Sequence, residues 1–198
     1  MATTAVKICN IALSRIGASQ TINDLDEAST EAGVCKLFYE HVRDSVLEDF
    51  TWPFAQKYFT LNLIEEEPNE DWLYKYSYPT DCIRAIRIVS GVSRVDAPLI
   101  PFNIGNDDSG RVVFTDAEDA VLQYTSRYED PVRFSPSFAD ALSWRLAYEI
   151  AMPLSVEQSI RNTAWQLYRT AIMKSETNAA NEPNYDTERE AEYIRGRE

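Results

Sequence analysis

The 198-residue chain lacks most of what marks an enzyme, a membrane protein or a nucleic-acid binder. It has no run of roughly 18 apolar residues, which excludes a membrane-spanning helix. No basic segment followed by an apolar core opens it, so no secretory signal is expected. It has one histidine, His41, and three cysteines, Cys9, Cys35 and Cys82. Odd in number and widely spaced, these cysteines fit neither a disulfide framework nor a zinc site, and read as buried free thiols of a reducing cytosol. The six glycines stand singly, so there is no glycine-rich phosphate loop. Positive charge is also scarce: 19 Lys and Arg face 32 Asp and Glu, a net charge of −13. Wrapping nucleic acid needs the opposite sign, because affinity there comes from neutralising phosphates. An acidic surface serves solubility, or a wall along which DNA slides.

No catalytic constellation stands out. A Ser- or Cys-His triad would have to use His41, which falls off the apolar stripe of its helix with Asp44 three residues on, the place of a surface histidine. Asn106-Asp107-Asp108-Ser109-Gly110 lacks the spacing and closing glutamate of a calcium loop and reads as a turn. Thirty-two acids always offer some pair at glycosidase distance, and nothing singles one out.

What the chain does have is a helical pair near its end. Ser135-Pro136 is an N-cap followed by a first-turn proline. The helix to about Met152 is apolar almost all round: Phe138, Leu142, Leu146 and Ile150 on one stripe, Trp144 and Tyr148 among the rest. Such a helix must be covered on more than one side. Pro153 is expected to stop it, and Ser155 with Gln158 to start the next as a capping box, running to about residue 178. That helix has two stripes: Val156, Ile160, Ala164, Leu167 and Ala171, then Trp165, Tyr168 and Ile172. Two stripes predict two partners, one within the subunit and one outside it. An aromatic content of 12% leans the same way, since Tyr and Trp are favoured at interfaces.

Earlier in the chain, residues 3–16 read as a helix capped by Thr3 or Thr4, with the stripe Ile8, Ile11, Ala12 and Ile16 and a closing Gly17. A second helix is expected from about Asp26 to Phe50, started by Asp24 or Asp26 and ended by Trp52-Pro53. From Phe54 to Tyr128 the hydrophobic period drops towards 2. Tyr74, Tyr76 and Tyr78 share one parity, Cys82–Val89 is a β-branched run, and 111–114 with 121–128 flank Asp116–Asp119 as an expected hairpin. Residues 65–70 and 103–110 read as loops. The fold class is therefore α+β: a bundle of about four helices (1–53 and 129–178), an inserted small antiparallel β lobe (54–128) and an extended tail (179–198). The tail's isolated Tyr185, Tyr193 and Ile194 fit either a frayed end or a segment that orders on a partner.

The order of motifs resembles a known family. Ile8-Cys9-Asn10-Ile11-Ala12-Leu13-Ser14-Arg15-Ile16-Gly17-Ala18 opens the chain; Ala32–Tyr39, Arg43–Leu47 and Trp52-Pro53-Phe54-Ala55 follow. Tyr78-Pro79-Thr80-Asp81-Cys82-Ile83-Arg84 and Phe138–Leu154 complete the series. Across residues 5–175 it is similar to the tail tubular protein A, or head-to-tail adaptor, family of short-tailed bacteriophages. The resemblance implies a structural virion protein of the tail or neck, assembled in the host cytoplasm. It would form a homo-oligomeric, dodecameric ring between the portal protein and the tail nozzle (a tail tubular protein B-like partner). Genomic DNA would pass through the ring without sequence-specific binding. No cofactor, metal or catalytic residue is implied.

By the same analogy, Trp144, Tyr148, Trp165, Tyr168 and Ile172 serve core and ring contacts. Pro101, Phe102, Asn103 and Ile104 face the nozzle as a loop, and Tyr185, Tyr193, Ile194 and Arg195 anchor the tail on the portal. Two alternatives stand beside this one. One is a peptidoglycan hydrolase using paired carboxylates, since some related adaptors have been linked to cell-wall hydrolysis; the other is a monomeric acidic binding module.

Overall fold

A computed structural model describes residues 3–66, 68, 71–92, 98–108 and 110–181, and it is an α+β protein with four helices and small antiparallel sheets. The first helix, α1 (Ala5–Arg15), starts where Thr4 Oγ1 accepts the Lys7 N–H at 3.1 Å and closes at Gly17, whose φ of +77° only glycine adopts freely. It buries Ile8, Cys9, Ala12 and Leu13, while Ile11 is 37% exposed. The following linker folds back over α1: Asn10 exchanges two 2.8 Å hydrogen bonds with the backbone of Ile22.

The second helix, α2 (Thr30–Asp49), begins four residues later than expected. The Glu27 carboxylate accepts the N–H groups of Asn23 and Asp24 and the Ser29 hydroxyl, and Asp24 Oδ1 accepts the Asp26 N–H at 2.8 Å. Those acids therefore hold a turn. Ser29, whose Oγ accepts the Ala32 N–H at 3.2 Å, is the cap.

Trp52 ends the bundle's first half with its indole N–H on the Val46 carbonyl at 2.7 Å. Its ring meets Phe50 at 4.9 Å and Phe138 at 5.0 Å, both edge-on. A short 3₁₀ turn, Pro53–Ala55, places Phe54 against Tyr128, Phe134 and Phe138. The outgoing and returning segments between bundle and lobe are thus joined by one aromatic cluster.

The middle of the chain forms two three-stranded antiparallel sheets rather than one. Strands β1 (Gln56–Thr60), β6 (Val121–Ser126) and β3 (Cys82–Val89) lie in the order β1-β6-β3. Strands β2 (Tyr74–Ser77), β5 (Gly110–Thr115) and β4 (Phe102–Asp107) lie in the order β2-β5-β4. The expected hairpin across residues 116–119 does not form. That segment, with Asp119 at φ +50°, carries the chain from the second sheet to the first. Both β5 and β6 are central strands, so each needs two partners, and neither finds one in the other.

The loop expected at 103–110 is also corrected: most of it is β4, paired with β5 from Phe102↔Thr115 to Asp107↔Gly110. Gly105 sits inside this strand because the Phe114 ring lies over it; a Cβ there would stand 2.8 Å from Phe114 Cε2. Only the tip turns, at Gly110 with φ +113°.

The third helix, α3 (Pro136–Ala151), is capped by Ser135 and buries eight residues, among them Phe138, Leu142, Leu146 and Ile150. Its end corrects the capping-box expectation. Ser155 takes φ +57°, its N–H bonds the Met152 carbonyl at 3.0 Å, and Val156 N–H reaches Ala151 at 2.9 Å. Ser155 therefore closes α3 as a left-handed C-cap instead of opening α4. The last helix, α4, runs from Gln158 to Asn181. A large core unites all four helices, and a second one, around Tyr76, Val113, Leu122 and Tyr124, fills the β lobe.

Candidate interaction surfaces

Among the described residues, no group of three or more His, Cys, Asp or Glu side chains could hold a metal ion. No helix of the described residues is long and apolar enough to cross a membrane. Cys9, Cys35 and Cys82 are buried and unpaired. Contact with the Cys35 thiol, with burial added, raises the Cys9 thiol far above its usual range, and burial pushes Cys82 up to about 11, so neither is a nucleophile near neutrality. His41 is exposed on α2. The neighbouring Asp44 carboxylate is held by Arg43 at 2.9 Å and by Arg127 Nε at 2.9 Å.

That ion chain is one half of the joint between bundle and lobe. Arg43 is buried on α2, and Arg127 follows β6, so Asp44 bridges the two units. Beside it Asp81 accepts from Lys57 Nζ at 2.6 Å and from the Tyr124 hydroxyl at 2.8 Å. Burial works against the ionised Asp81, but these two donors outweigh it and hold its carboxyl below the usual carboxylate range. Within the lobe, Lys75 is buried between Asp107 at 2.9 Å and Glu66 at 3.0 Å, which raise its ammonium above the ordinary value. These charges are paired and build the framework.

Of the residues assigned to ring contacts by resemblance, Tyr148, Trp165 and Tyr168 fall in one layer between α3 and α4. Tyr148 and Trp165 lie 5.1 Å apart, and Trp165 and Tyr168 5.6 Å apart. Arg145 stacks over this layer, 4.9 Å from the Trp165 centroid, while pairing with Glu149 at 2.9 Å. Arg161 lies over the Tyr148 ring at 4.4 Å. Trp144 is capped instead by Arg15 at 3.8 Å, and that arginine also pairs with Asp140. Tyr168 is buried and donates its hydroxyl to Asp49. It belongs to the chain's own core, and burial with the Asp49 charge raises its phenol far above the normal range. Trp165 at 37% exposure, with the half-buried Ile172 and the exposed Leu167 and Met173, still faces solvent.

Large apolar side chains are also exposed on the β lobe. Tyr58 and Phe59 are successive residues of the edge strand β1, so they point to opposite faces, yet both are exposed, as are Leu63 and Leu73. The residues assigned to the nozzle sit on β4 rather than in a loop. Pro101 precedes the strand and accepts from the Thr115 hydroxyl at 2.9 Å. Phe102 packs against the lobe core, Ile104 pairs with Val113, and Asn103 is exposed. Tyr185, Tyr193, Ile194 and Arg195 lie outside the described residues.

Sequence reasoning missed the exposed edge at Tyr58 and Phe59, because alternation shows parity but not whether a strand is central or terminal. It also missed the arginines of the α3–α4 layer. A signal was present only for Arg145, one helical turn before Tyr148, whereas Arg161 reaches Tyr148 from the other helix. No protein-family model matches this chain, and no curated protein matches it.

Proposed function

We propose that this protein is a structural adaptor of a bacteriophage virion, a ring-forming part between portal and tail nozzle that continues the DNA channel. The observation that carries the reading is that both units expose large apolar side chains: Trp165, Leu167 and Met173 on α4 of the bundle, and Tyr58, Phe59 and Leu63 on the β lobe. A chain with exposed apolar groups on two units, each with its own core, is suited to bridging two different partners. The motif order from Ile8 to Leu154 supplies the identity of those partners. In this reading the bundle makes the ring, the lobe meets the nozzle, and residues 180–198 reach the portal. The net charge of −13 keeps the channel wall from holding DNA.

Truncation after Ala179 tests the portal arm. The shortened chain is expected to keep its thermal transition and to lose co-sedimentation with portal particles. A truncated chain that still sediments with the portal would refute the anchor, and a full chain that never does would refute the adaptor reading.

A further inference from the structure

Strand β3 shifts register twice against β6, between Cys82 and Arg84 and again between Ala85 and Arg87. In a regular strand, residues three apart point to opposite faces. The extra residue at Ile86 sets Arg84 opposite Thr125 and Arg87 opposite Gln123, which lie two apart on β6, so both arginines stand on one face of the β1-β6-β3 sheet. Ala85 and Ile88 take the other face and pack in the lobe core. Gln56 and Tyr58 of β1, opposite Thr125 and Gln123, share the arginine face.

A hydrogen-bonded row crosses that face. Arg87 Nε donates to Gln123 Oε1 at 2.7 Å, and Gln123 Nε2 donates to Gln56 Oε1 at 2.6 Å. Tyr58, on the edge strand beside this row, is 60% exposed. Arg84 donates to the hydroxyl of Thr51, just after α2, so the bundle lies against the row nearest it. In this acidic chain Arg15, Arg43, Arg127 and Arg145 each pair with a carboxylate. Among the described residues neither Arg84 nor Arg87 has one within ion-pair distance.

The complementary charge is on α2. Its outer side carries Leu37, 72% exposed, with Glu40, Asp44 and Glu48 in the same quadrant of the helix. Asp44 is held by Arg43 and Arg127, whereas Glu40 and Glu48 are exposed and form no ion pair among the described residues.

We propose that the arginine face of the β1-β6-β3 sheet in one copy packs on the acidic side of α2 in the next copy, with Tyr58 against Leu37. This rests on the adaptor reading for the ring and adds which faces build it; the β2-β5-β4 sheet stays free for the nozzle. The spacings agree. Two strand separations, about 10 Å, lie between Tyr58 and Arg87. Glu40 and Glu48 stand about 5 and 16 Å along the helix from Leu37. With Tyr58 over Leu37 and the helix laid across the strands, Arg87 falls between the two free carboxylates. Two sheet faces would set arginine against arginine, and two α2 sides glutamate against glutamate, so each surface prefers the other. A basic and an acidic surface on one chain make a head-to-tail contact, which closes into a ring when the rotation allows.

The test uses the full chain with portal particles. Arg87→Glu, and separately Glu40→Lys with Glu48→Lys, is expected to lower ring occupancy at least tenfold. The α2 pair is exposed and should leave thermal stability unchanged, so it decides the matter even if Arg87→Glu folds poorly. All three substitutions in one chain should restore the ring. As a second readout, copies bearing Tyr58→Cys mixed with copies bearing Leu37→Cys should form an intermolecular disulfide under mild oxidation, and neither alone should. A chain carrying both cysteines should give a ladder of products beyond the dimer. Full rings from the α2 pair, or dimers and nothing larger from the double-cysteine chain, would overturn this pairing and leave the adaptor reading standing. A cross-linked ladder from a protein that forms no ring on the portal would support the pairing and sink the adaptor reading. Absence of both ring and cross-link would overturn the two together.

Discussion

The hydroxyl of Tyr168, on α4, donates a hydrogen bond to the carboxylate of Asp49, the last residue of α2. These helices are separated by more than a hundred residues and by the whole β lobe, so this bond fixes how the second half of the bundle returns to the first. Tyr168 is buried while Asp49 is exposed, which limits the bond to the value of an ordinary hydrogen bond.

Replacing Tyr168 by Phe should therefore cost about 1 kcal/mol, seen as a fall of roughly 2–4 °C in Tm for a chain of this size. Asp49→Asn should cost no more, and the double variant should cost less than the sum of the two. Additive effects would show that the two groups are not coupled.

Phe138 lies at the centre of the aromatic joint, against Trp52, Phe54 and Phe134, and is fully buried. Phe138→Ala leaves a void that fixed neighbours cannot fill, at about 3–5 kcal/mol. Urea unfolding followed by tryptophan emission measures it. A loss under roughly 1 kcal/mol would mean that the joint between bundle and lobe collapses freely.

At Gly105 the limit is space rather than backbone angle. Gly105→Ala puts a methyl 2.8 Å from the Phe114 ring and should destabilise by about 1–3 kcal/mol. Adding Phe114→Leu should recover part of that loss. An alanine tolerated without cost would show that the ring moves aside.

Asp81 predicts a pH dependence. Its folded-state carboxyl titrates below the unfolded value, so its contribution is present above the unfolded pKa near 4 and is lost as pH falls through the lowered one. Asp81→Asn should flatten the acid limb of the stability curve while lowering stability at neutral pH, where Lys57 loses its partner. An unchanged acid limb would place the titration elsewhere.

The sequence discloses the helices well because each announces itself locally: Thr4 and Ser135 cap, Gly17 ends a turn, and 3.6-residue stripes mark the core. The helix starts it misplaces are those where a polar side chain has two possible uses. Asp24 and Glu27 serve a turn instead of α2, and Ser155 closes α3 instead of opening α4. The sheets fail differently. Strand β5 lies next to β6 in sequence, but each is the centre of its own sheet, and alternation cannot report a choice made by distant strands. Gly105 reads as a turn because Phe114, which requires it, is nine residues away. Of the surfaces, the tyrosines and tryptophans of α3 and α4 are visible in the sequence. What is invisible is that Tyr168 is spent on the chain's own packing while Trp165 remains partly open.

The central claim is that this chain assembles on a portal as a ring. Electron microscopy of the protein mixed with a cognate portal protein tests it most directly. The adaptor reading predicts a collar of added density below the portal with ring symmetry, its helical bundles side by side and its β lobes projecting away from the portal. Portal particles without added density, beside the folded and separate protein, would contradict it.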